Sequence, residues 1–318
     1  IFPLIAVARE MKSLFLQKKL EKSRNVFGEV KSEKEREQGR ISLYYIGPRD
    51  EFSLILLAQE GVKTKEILAG KIRRYLSWQS FLENIVDAIK VPLGFVHAFF
   101  HLFFLAPDLI ISKGGYGSFS VVLAGWLLCI PIFLHESDID PGFSNKLLSR
   151  FAKRIFVSFP KTEKFPFPKM ILIGNPIRKE ILYGRTEEAR VLLRLSGGKP
   201  VVLIMGGSQG AQRINDLILA ILPSLVKDFE VLHQTGEKNF SRVVAEANIT
   251  LNSEEMKRFY HPFAFFHEEE QKQAYAIASM IVSRAGSGMI FEIAAAAKPS
   301  ILIPLPESAQ NHQVKNAY

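Results

Sequence analysis

The 318-residue sequence predicts an α/β protein built from two doubly wound domains, and three features of the chain support this fold class. Short aliphatic runs that end in glycine or a polar turn alternate with longer helical patterns. The runs are apolar throughout, as expected for strands of parallel sheets covered on both faces. The same alternation starts again after Pro176, which predicts two sheets, each in its own Rossmann-like domain.

In the first predicted domain, residues 1–175, each apolar run leads into a glycine or polar turn. The predicted strands are "ISLYYIG" at 41–47, "LIISKGG" at 109–115, "IPIFLHE" at 130–136, "IFVSF" at 155–159 and "MILIGNP" at 170–176.

The second predicted domain, residues 176–318, repeats this pattern. Its predicted strands are "VVLIMGG" at 201–207, "EVLHQTG" at 230–236, "SMIVSRAG" at 279–286 and "PSILIPLP" at 299–306. The boundary is placed at "GNPIRKEILYG", 174–184, because proline and glycine follow a strand there.

The chain carries a net charge of +9, with a pI near 9.5. This charge favours an anionic partner: nucleic acid, a phosphorylated substrate or an anionic bilayer surface. Nucleic acid is disfavoured because no RNA-binding signature, zinc-finger spacing or recognition-helix pattern is found. The single cysteine, Cys129, excludes a disulfide within the chain, and we expect it to be a small buried hydrophobe.

Residues 71–106, "KIRRYLSWQSFLENIVDAIKVPLGFVHAFFHLFFLA", join a basic, aromatic start to a very apolar end. The uncharged part after Lys90 is short for a spanning helix and contains Pro92, so a transmembrane helix is not expected. Two alternatives remain. The segment is either a buried helix of the first domain or a surface element that enters the lipid headgroups, with Lys71, Arg73 and Arg74 near the phosphates.

The stretch "MGGSQGAQRIND" follows a predicted strand and should open a helix near Gly210 or Ala211. Gly206 and Gly207 would let the backbone approach a ligand closely, and the first helical N–H groups would face an anion such as a diphosphate. Ser208 would add a hydroxyl donor. The turn is neither a Walker A loop nor a dinucleotide fingerprint. A purely structural βα turn is the alternative.

A second turn, "SRAGSGMIFEIAAAAKP", runs through Arg284, Ser287 and Gly288 into a helix that carries Glu292. A carboxylate would weaken phosphate binding there, but it can accept two hydrogen bonds from a vicinal diol such as a ribose. The alternative, a helix-surface residue, is disfavoured because Phe291, Ile293 and the following alanines indicate a mostly buried helix. Together the two turns predict a nucleotide-diphosphate site.

Polar groups also follow strands of the first domain, in "SKGGYGSFS" at 112–120 and "HESDIDPGFSNKLL" at 135–148. His135, Glu136 and Asp138 could transfer a proton or orient an acceptor hydroxyl. A hydrogen-bonded core histidine and a turn-capping aspartate are the alternatives. Two such sheets facing each other across a cleft would suit transfer from a nucleotide-linked donor to a second substrate.

Five segments, "GGSQGAQRIN", "HESD…PGFSNKLL", "GNPIR", "SRAGSGMIFEIAAAAKPSILIPLP" and "NHQVKNA", together resemble the MurG family, in the family's order along the chain. This resemblance implies the GT-B fold and an inverting, metal-independent transfer without a cofactor. The family moves N-acetylglucosamine from UDP-N-acetylglucosamine to undecaprenyl-pyrophosphoryl-N-acetylmuramyl-pentapeptide in peptidoglycan synthesis. It also implies peripheral attachment at the cytoplasmic face of the membrane, cell-wall synthesis proteins as possible partners, and a role in cell shape and division.

The resemblance assigns site residues by motif position. The pyrophosphate contacts are implied to be Ser208 and the amides around Gly206, Gly207 and Gln209. Arg178 and the helix residue Asn215 are implied to lie on the donor side, the backbone of Phe266 to contact uracil, and Gln313 to contact the donor sugar. The residues implied to bind the nucleoside and its ribose are Arg284, Ser287, Gly288, Met289, Ile290 and Glu292. The positions tied to the acceptor and to activity are Tyr116, His135, Glu136, Asp138 and Asn145.

The sequence departs from the family's pattern in places. The family's first glycine loop, ending Gly-Gly-His with the histidine often proposed as base, is expected upstream of Ile1. The family's terminal helices are expected beyond Tyr318. Asp138 stands where many members have asparagine, and the Ser-Gly-Pro expected after Tyr116 is altered. A lipid-directed glycosyltransferase with another acceptor, or a silent nucleotide-binding scaffold, remain alternative functions.

Overall fold

The computed structural model describes residues 1–24, 41–70, 78–207, 210–305 and 311–318. It divides into two compact units, Ile1–Pro176 and Ile177–Tyr318. The division falls one residue after the boundary that the sequence predicts. In both units helices flank parallel strands, so the predicted α/β class is confirmed.

The first unit contains two parallel sheets among its described residues. Strands β1 and β2 form a pair, and β3, β4, β5 and β6 form a four-stranded sheet in that order. The strands are β1 (Tyr44–Gly47), β2 (Lys63–Glu66), β3 (Ile110–Ser112), β4 (Ile132–Glu136), β5 (Arg154–Val157) and β6 (Met170–Leu172). The helices are α1 (Phe2–Arg24), α2 (Glu51–Gln59), α3 (Trp78–Leu105), α4 (Ser118–Leu127) and α5 (Phe143–Leu148), with a 3₁₀ turn at Phe167–Lys169.

The second unit has one five-stranded parallel sheet, in the order β11-β10-β7-β8-β9. Its strands are β7 (Val201–Met205), β8 (Glu230–Gln234), β9 (Tyr260–Phe263), β10 (Ala278–Arg284) and β11 (Ser300–Ile303). Its helices are α6 (Thr186–Leu192), α7 (Gln212–Asp228), α8 (Phe240–Thr250), α9 (Glu254–Lys257), α10 (Glu268–Ile277), α11 (Ser287–Ala295) and α12 (His312–Ala317), with a 3₁₀ turn at Lys179–Leu182. The middle strands β7 and β8 are buried along their whole length; β7 is apolar throughout, as expected there, whereas β8 also buries the polar residues Glu230, His233 and Gln234.

Helix α3 bears on the expectations for residues 71–106, for which a buried helix and a surface element were the two alternatives. Pro92 lies inside the continuous helix and does not end it, and the window Asp87–Leu105 is long and apolar enough to cross a membrane by length and composition. The helix is not buried either, because only 17% of that window is covered. Ala98 and Leu102 pack into the core of the first unit while the opposite face is exposed. Lys71, Arg73 and Arg74 lie outside the described residues.

The exposed face of α3 carries large apolar side chains at helical spacing, and we call this set the apolar stripe. Each member exposes 45% or more of its surface: Ile89, Leu93, Val96, Phe100, Phe103 and Phe104. The spacing of four, three, four and three residues from 89 to 103 places them on one side of the helix. At 1.5 Å per residue the stripe is about 22 Å long.

Strands β2 and β9 were not predicted from the sequence, because neither is a continuous apolar run. Strand β2 reads "KTKE" and is mostly exposed, because it lies beside β1 alone. Strand β9 reads "YHPF" and contains Pro262, which is tolerated because β9 is an edge strand. Cys129 is also exposed, with φ of 58° just after α4, so the expectation of a buried cysteine is wrong.

Candidate functional site

The first glycine turn joins β7 to α7 in the second unit. Gly207 and Gly210 have φ of +84° and +73°, backbone angles that residues with a Cβ adopt only at a cost in free energy. Gly206 is packed against the amide of Ala211, the residue that precedes the first turn of α7. The N-terminal amides of a 17-residue helix follow directly, as a diphosphate site requires. Ser208 and Gln209 lie outside the described residues.

The second glycine turn joins β10 to α11, and it lies beside the first because β10 and β7 are neighbours in the sheet. Arg284 Nη1 donates to the carbonyl oxygen of Gly206 at 3.3 Å, which ties the two turns together. No side chain caps α11, whose N-cap is Gly286. The predicted contacts Ser287, Gly288, Met289 and Ile290 form its first turn, at the positive end of the helix dipole.

Glu292 is buried on α11 and is held by three side chains. Its Oε2 accepts hydrogen bonds from Gln271 Nε2 and Tyr275 Oη, both at 3.2 Å, and Arg178 Nη2 lies 3.6 Å from its Oε1. Arg178 also donates to Gln271 Oε1 at 2.7 Å. Burial raises the pKa of the Glu292 carboxyl, and the charge of Arg178 opposes that rise.

The expectation of a mostly buried helix around Glu292 is only partly correct. Glu292 and Ile293 are buried, but Ala294 and Ala295 are exposed, since α11 covers the sheet with one side only. The carboxylate therefore faces the interior with the ion pair and hydrogen bonds described above.

Asn215, predicted to contact the donor, is fully buried and both ends of its amide are used within the fold. Its Nδ2 donates to the Thr235 carbonyl at 3.0 Å, and its Oδ1 lies 3.0 Å from His233 Nε2. His233 Nδ1 lies 2.9 Å from the Tyr260 hydroxyl. Because Asn215 Oδ1 can only accept, His233 carries its proton on Nε2 and accepts from Tyr260. In this structure Asn215 therefore fixes the end of β8.

The two remaining donor-side predictions also involve buried groups. The Phe266 side chain belongs to the core, and its backbone N–H donates to Gln234 Oε1 at 3.2 Å. That amide is therefore used within the fold, so a uracil contact of the Phe266 backbone would have to use its carbonyl. Gln313 is buried on α12, and its Oε1 accepts from the Leu305 amide at 3.1 Å.

In the first unit, Glu136 ends β4 and organises the turn that follows. Its Oε1 accepts from the Asp138 amide at 3.1 Å, and its Oε2 accepts from the Gly142 amide at 3.0 Å and from Asn145 Nδ2 at 2.9 Å. Burial raises the pKa of the Glu136 carboxyl, while these hydrogen bonds oppose the rise. The structure thus brings together Glu136, Asp138 and Asn145, three of the predicted acceptor-side residues.

His135 directly precedes Glu136 on β4 and has one ring nitrogen available. Its Nε2 donates to the Gly174 carbonyl at 3.0 Å, which leaves Nδ1 unprotonated, buried and without a hydrogen-bond partner in the described part of the chain. Burial, aided by the charge of Lys113, lowers the pKa of His135 to about 4. At neutral pH this nitrogen is a hydrogen-bond acceptor and only a weak base.

Lys113 and Tyr116 both follow the end of β3 in the sequence. Tyr116 lies in the turn between β3 and α4 with 48% of its surface exposed. Lys113 follows β3, and its Nζ donates to Asn175 Oδ1 at 3.0 Å. Burial lowers the pKa of Lys113 to about 8, against the opposing charges of Glu136 and Asp138.

Sequence reasoning missed several of these side chains. Lys113, Gln234, Gln271 and Tyr275 were not singled out. For Lys113 a signal existed, since it directly follows the apolar strand β3. Gln234 ends β8, which also contains Glu230 and His233, so its position alone did not distinguish it. Gln271 and Tyr275 lie on α10, whose sequence shows nothing that links it to Glu292.

Comparison with known proteins defines the class of both units. Residues 33–157 match the glycosyltransferase family 28 N-terminal domain, and residues 201–318 match the glycosyltransferase family 28 C-terminal domain. These matches cover most of both units.

Full-length relatives narrow the class. A Bacillus cereus protein named UDP-N-acetylglucosamine--N-acetylmuramyl-(pentapeptide) pyrophosphoryl-undecaprenol N-acetylglucosamine transferase 2 is 39% identical over 275 residues, 86% of this chain and 74% of the relative. The transferase of that name from Treponema denticola is 40% identical over 257 residues, 79% of this chain and 64% of the relative. The crystal structure of Acinetobacter baumannii MurG matches with a TM-score of 0.64 at 22% identity, over 99% of this chain and 77% of that one. The chain belongs to the MurG family of glycosyltransferases.

Proposed function

We propose that this chain transfers N-acetylglucosamine from UDP-N-acetylglucosamine to undecaprenyl-pyrophosphoryl-N-acetylmuramyl-pentapeptide, converting lipid I to lipid II in peptidoglycan synthesis. Relatives named for this reaction share 37 to 40% identity with the chain over most of its length. The structural observation that carries the donor half is the bond from Arg284 to the Gly206 carbonyl, which places two helix-opening glycine turns side by side.

The second unit supplies the donor site in this proposal. The amides that open α7 and α11 receive the diphosphate of UDP, because a helix N-terminus presents backbone N–H groups to an anion at the positive end of the helix dipole. Glu292 receives the ribose hydroxyls, which would replace the hydrogen bonds now donated by Gln271 and Tyr275. Arg178 balances the charge of this buried carboxylate.

The reaction itself is an inverting displacement. An acceptor hydroxyl, the C4 hydroxyl in the family, attacks the anomeric carbon while the bond from that carbon to the UDP oxygen breaks, and UDP leaves with the electron pair. The hydroxyl proton passes to a base. Amides at the two helix ends stabilise the charge that builds on the departing diphosphate, and one such donor contributes about 3 kcal/mol to transition-state stabilisation.

The first unit supplies the acceptor side. His135 Nδ1 is a buried acceptor that could receive the hydrogen bond of a sugar hydroxyl, and Glu136 shapes the turn that carries Asp138. The pKa of about 4 at His135 favours an orienting role over full proton removal. Tyr116, which is largely exposed, adds a hydroxyl and an aromatic face at the same turn region.

The apolar stripe of α3 provides the membrane contact in this proposal. An acceptor carried on a polyprenyl chain stays in the bilayer, so the enzyme must reach the headgroup region as a peripheral protein at the cytoplasmic face. Six large apolar residues on one exposed side of a helix suit shallow insertion. The net charge of +9 favours anionic lipids.

Transfer of radiolabelled N-acetylglucosamine tests the function. With UDP-N-acetylglucosamine as donor, we expect label on the undecaprenyl-linked muramyl-pentapeptide and none on diacylglycerol. Label on diacylglycerol instead would indicate a lipid-directed transferase of another specificity. UDP binding without transfer to either lipid would indicate a nucleotide-binding scaffold.

Co-sedimentation with vesicles tests the membrane contact. Replacing Phe100, Phe103 and Phe104 with serine should lower the fraction bound to vesicles that contain phosphatidylglycerol, and charge reversal at Arg73 and Arg74 should do the same. Ile249→Ser is the control, because Ile249 is 80% exposed but lies on α8 of the second unit. Unchanged binding of the phenylalanine variant would rule out the stripe as the contact.

A further inference from the structure

Gln234 occupies a central position at the edge of the second sheet where both glycine turns lie. It is the last residue of β8, the strand between β7 and β9, and its backbone pairs with Met205 on one side and Phe263 on the other. Its side chain is buried, with 3% exposure. A primary amide in this place must find partners on both sides, because a buried unpaired amide is costly.

The amide of Gln234 bridges two loops that are far apart in sequence. Its Nε2 donates to the Gly207 carbonyl at 2.9 Å, and its Oε1 accepts from the Phe266 amide at 3.2 Å. Gly207 belongs to the turn assigned to the diphosphate, and Phe266 to the loop after β9 assigned to the base. One side chain thus sets the distance between these two loops.

The residues on either side of Gln234 add to the same arrangement. His233 orients Asn215, and Asn215 holds the Thr235 carbonyl, against which the Cα of Gly210 is packed so closely that a Cβ there would clash. The start and the end of the first glycine turn, Gly207 and Gly210, are therefore both fixed by the end of β8. None of these contacts requires a ligand.

We propose that Gln234 is a positioning residue for the nucleotide: it holds the diphosphate turn and the base-binding loop at the spacing that one UDP molecule needs. This inference rests on the proposed function, since it presumes UDP as the ligand. Gln234 acts through Gly207 and Phe266 and does not itself need to touch the nucleotide. Its effect is specific to ligands that occupy both loops at once, because the second contact of a joined ligand depends on the distance between the two sites.

Calorimetric titration with UDP, uridine and inorganic pyrophosphate tests this role. Gln234→Leu removes both hydrogen bonds at similar volume, and we expect UDP affinity to fall tenfold or more. Uridine and pyrophosphate, each of which uses one loop, should change less than threefold. An equal loss of affinity for all three ligands would indicate general damage to the unit. Unchanged UDP affinity would show that Gln234 does not position the two loops. Either result overturns the proposal.

Gln273→Leu is the matched control. Gln273 is also a buried glutamine of the second unit, with 1% exposure, but it bonds the Arg185 amide, Glu188 and Glu269. We expect this variant to lose stability with less than a twofold change in UDP affinity.

Gln234→Glu serves as a second variant if the leucine protein does not fold. At pH 8 it keeps the acceptor for the Phe266 amide but places a carboxylate oxygen against the Gly207 carbonyl, so the same selective loss for UDP is expected. UDP binding equal to that of the unaltered protein would again overturn the proposal. If the unaltered protein binds no UDP, the proposed function fails together with this inference, whereas normal UDP binding with unaffected variants would overturn the inference alone.

Discussion

The two units each bury one glutamate near the proposed chemistry, and they hold it by different means. Glu136 of the first unit accepts two backbone amides and the side chain of Asn145, so its contacts define the path of the chain. Glu292 of the second unit is held by the side chains of Gln271, Tyr275 and Arg178 alone. Side-chain donors can give way to a ligand's hydroxyls without a backbone change. The comparison therefore favours a structural role for Glu136 and is consistent with the ribose role proposed for Glu292.

A pair of buried histidines repeats the contrast. In both, burial lowers the pKa, to about 4 for His135 and about 3 for His233. His233 uses both ring nitrogens within the fold, between Tyr260 and Asn215. His135 uses only Nε2. Both ring nitrogens of His233 are thus engaged within the second unit, while His135 Nδ1 in the first unit has no hydrogen-bond partner among the described residues.

The largest effect is expected for Glu136→Ala. This change leaves the amides of Asp138 and Gly142 and the Asn145 side chain without their acceptor, and each buried donor left unpaired costs about 1 to 3 kcal/mol. We expect the free energy of unfolding of the first unit to fall by about 3 kcal/mol or more, measured by urea denaturation. UDP affinity should stay within twofold, because the donor site belongs to the second unit.

Glu163→Ala is the control for this experiment, since Glu163 is an exposed residue of the same unit. It should change the free energy of unfolding by less than about 0.5 kcal/mol. A Glu136→Ala protein as stable as this control would show that the comparison between the two glutamates is mistaken.

The second expected effect is on nucleotide binding by Glu292→Ala. Loss of a buried contact between a diol and a charged group costs about 1.5 to 3 kcal/mol, so UDP affinity should fall tenfold or more by calorimetry. Glu230→Ala is the matched control: Glu230 is fully buried in the same unit but starts β8 and accepts from the Ser196 and Gly197 amides. It should lower stability and leave UDP affinity nearly unchanged. Equal UDP affinity in the Glu292 variant would remove its ribose role.

The smallest expected effect is the contribution of His233, in the second unit, to the pH dependence of stability. The pKa of His233 is lower in the folded chain than in the unfolded chain, so the unfolded state binds more protons below about pH 6.5 and stability falls on acidification. Between pH 7 and pH 5, the unaltered protein should lose about 2 kcal/mol more than His233→Gln, at about 1.4 kcal/mol per pKa unit. Urea denaturation of both proteins at the two pH values measures this, and parallel losses would contradict it.

The fold was predictable wherever a strand is covered on both faces. Strand β7 lies inside the sheet, and its continuous apolar sequence identifies it without further context. Strands β2 and β9 were missed because an edge position allows lysine and proline that a central strand excludes. The sequence left open whether α3 is buried or lies at a surface, because apolar content alone does not say whether protein or another medium covers a helix.

Candidate site residues were predictable where they lie together in one turn of the sequence. Local sequence was enough to make the glycines of both turns, Glu292, His135 and Glu136 candidates, and their roles in a site stay predictions. Their supporting partners could not, because Gln271 lies 21 residues from Glu292 and Gln234 lies 32 from Phe266. Such pairs are brought together only by the order of strands in the sheet.

At the end of β8, three consecutive residues contact three different segments: His233 bonds Asn215 of α7, Gln234 bonds Gly207 of the first glycine turn, and the Thr235 hydroxyl donates to the Phe263 carbonyl of β9. This has a consequence for chimaeric enzymes assembled from homologues. If the junction between two homologous sequences falls between β7 and β9, residues from one parent must contact residues from the other. Exchanging the span from β7 through α10 as one block keeps every one of these contacts within one parent sequence. Donor specificity in this family should therefore be inherited as a block of sequence and lost when that block is divided.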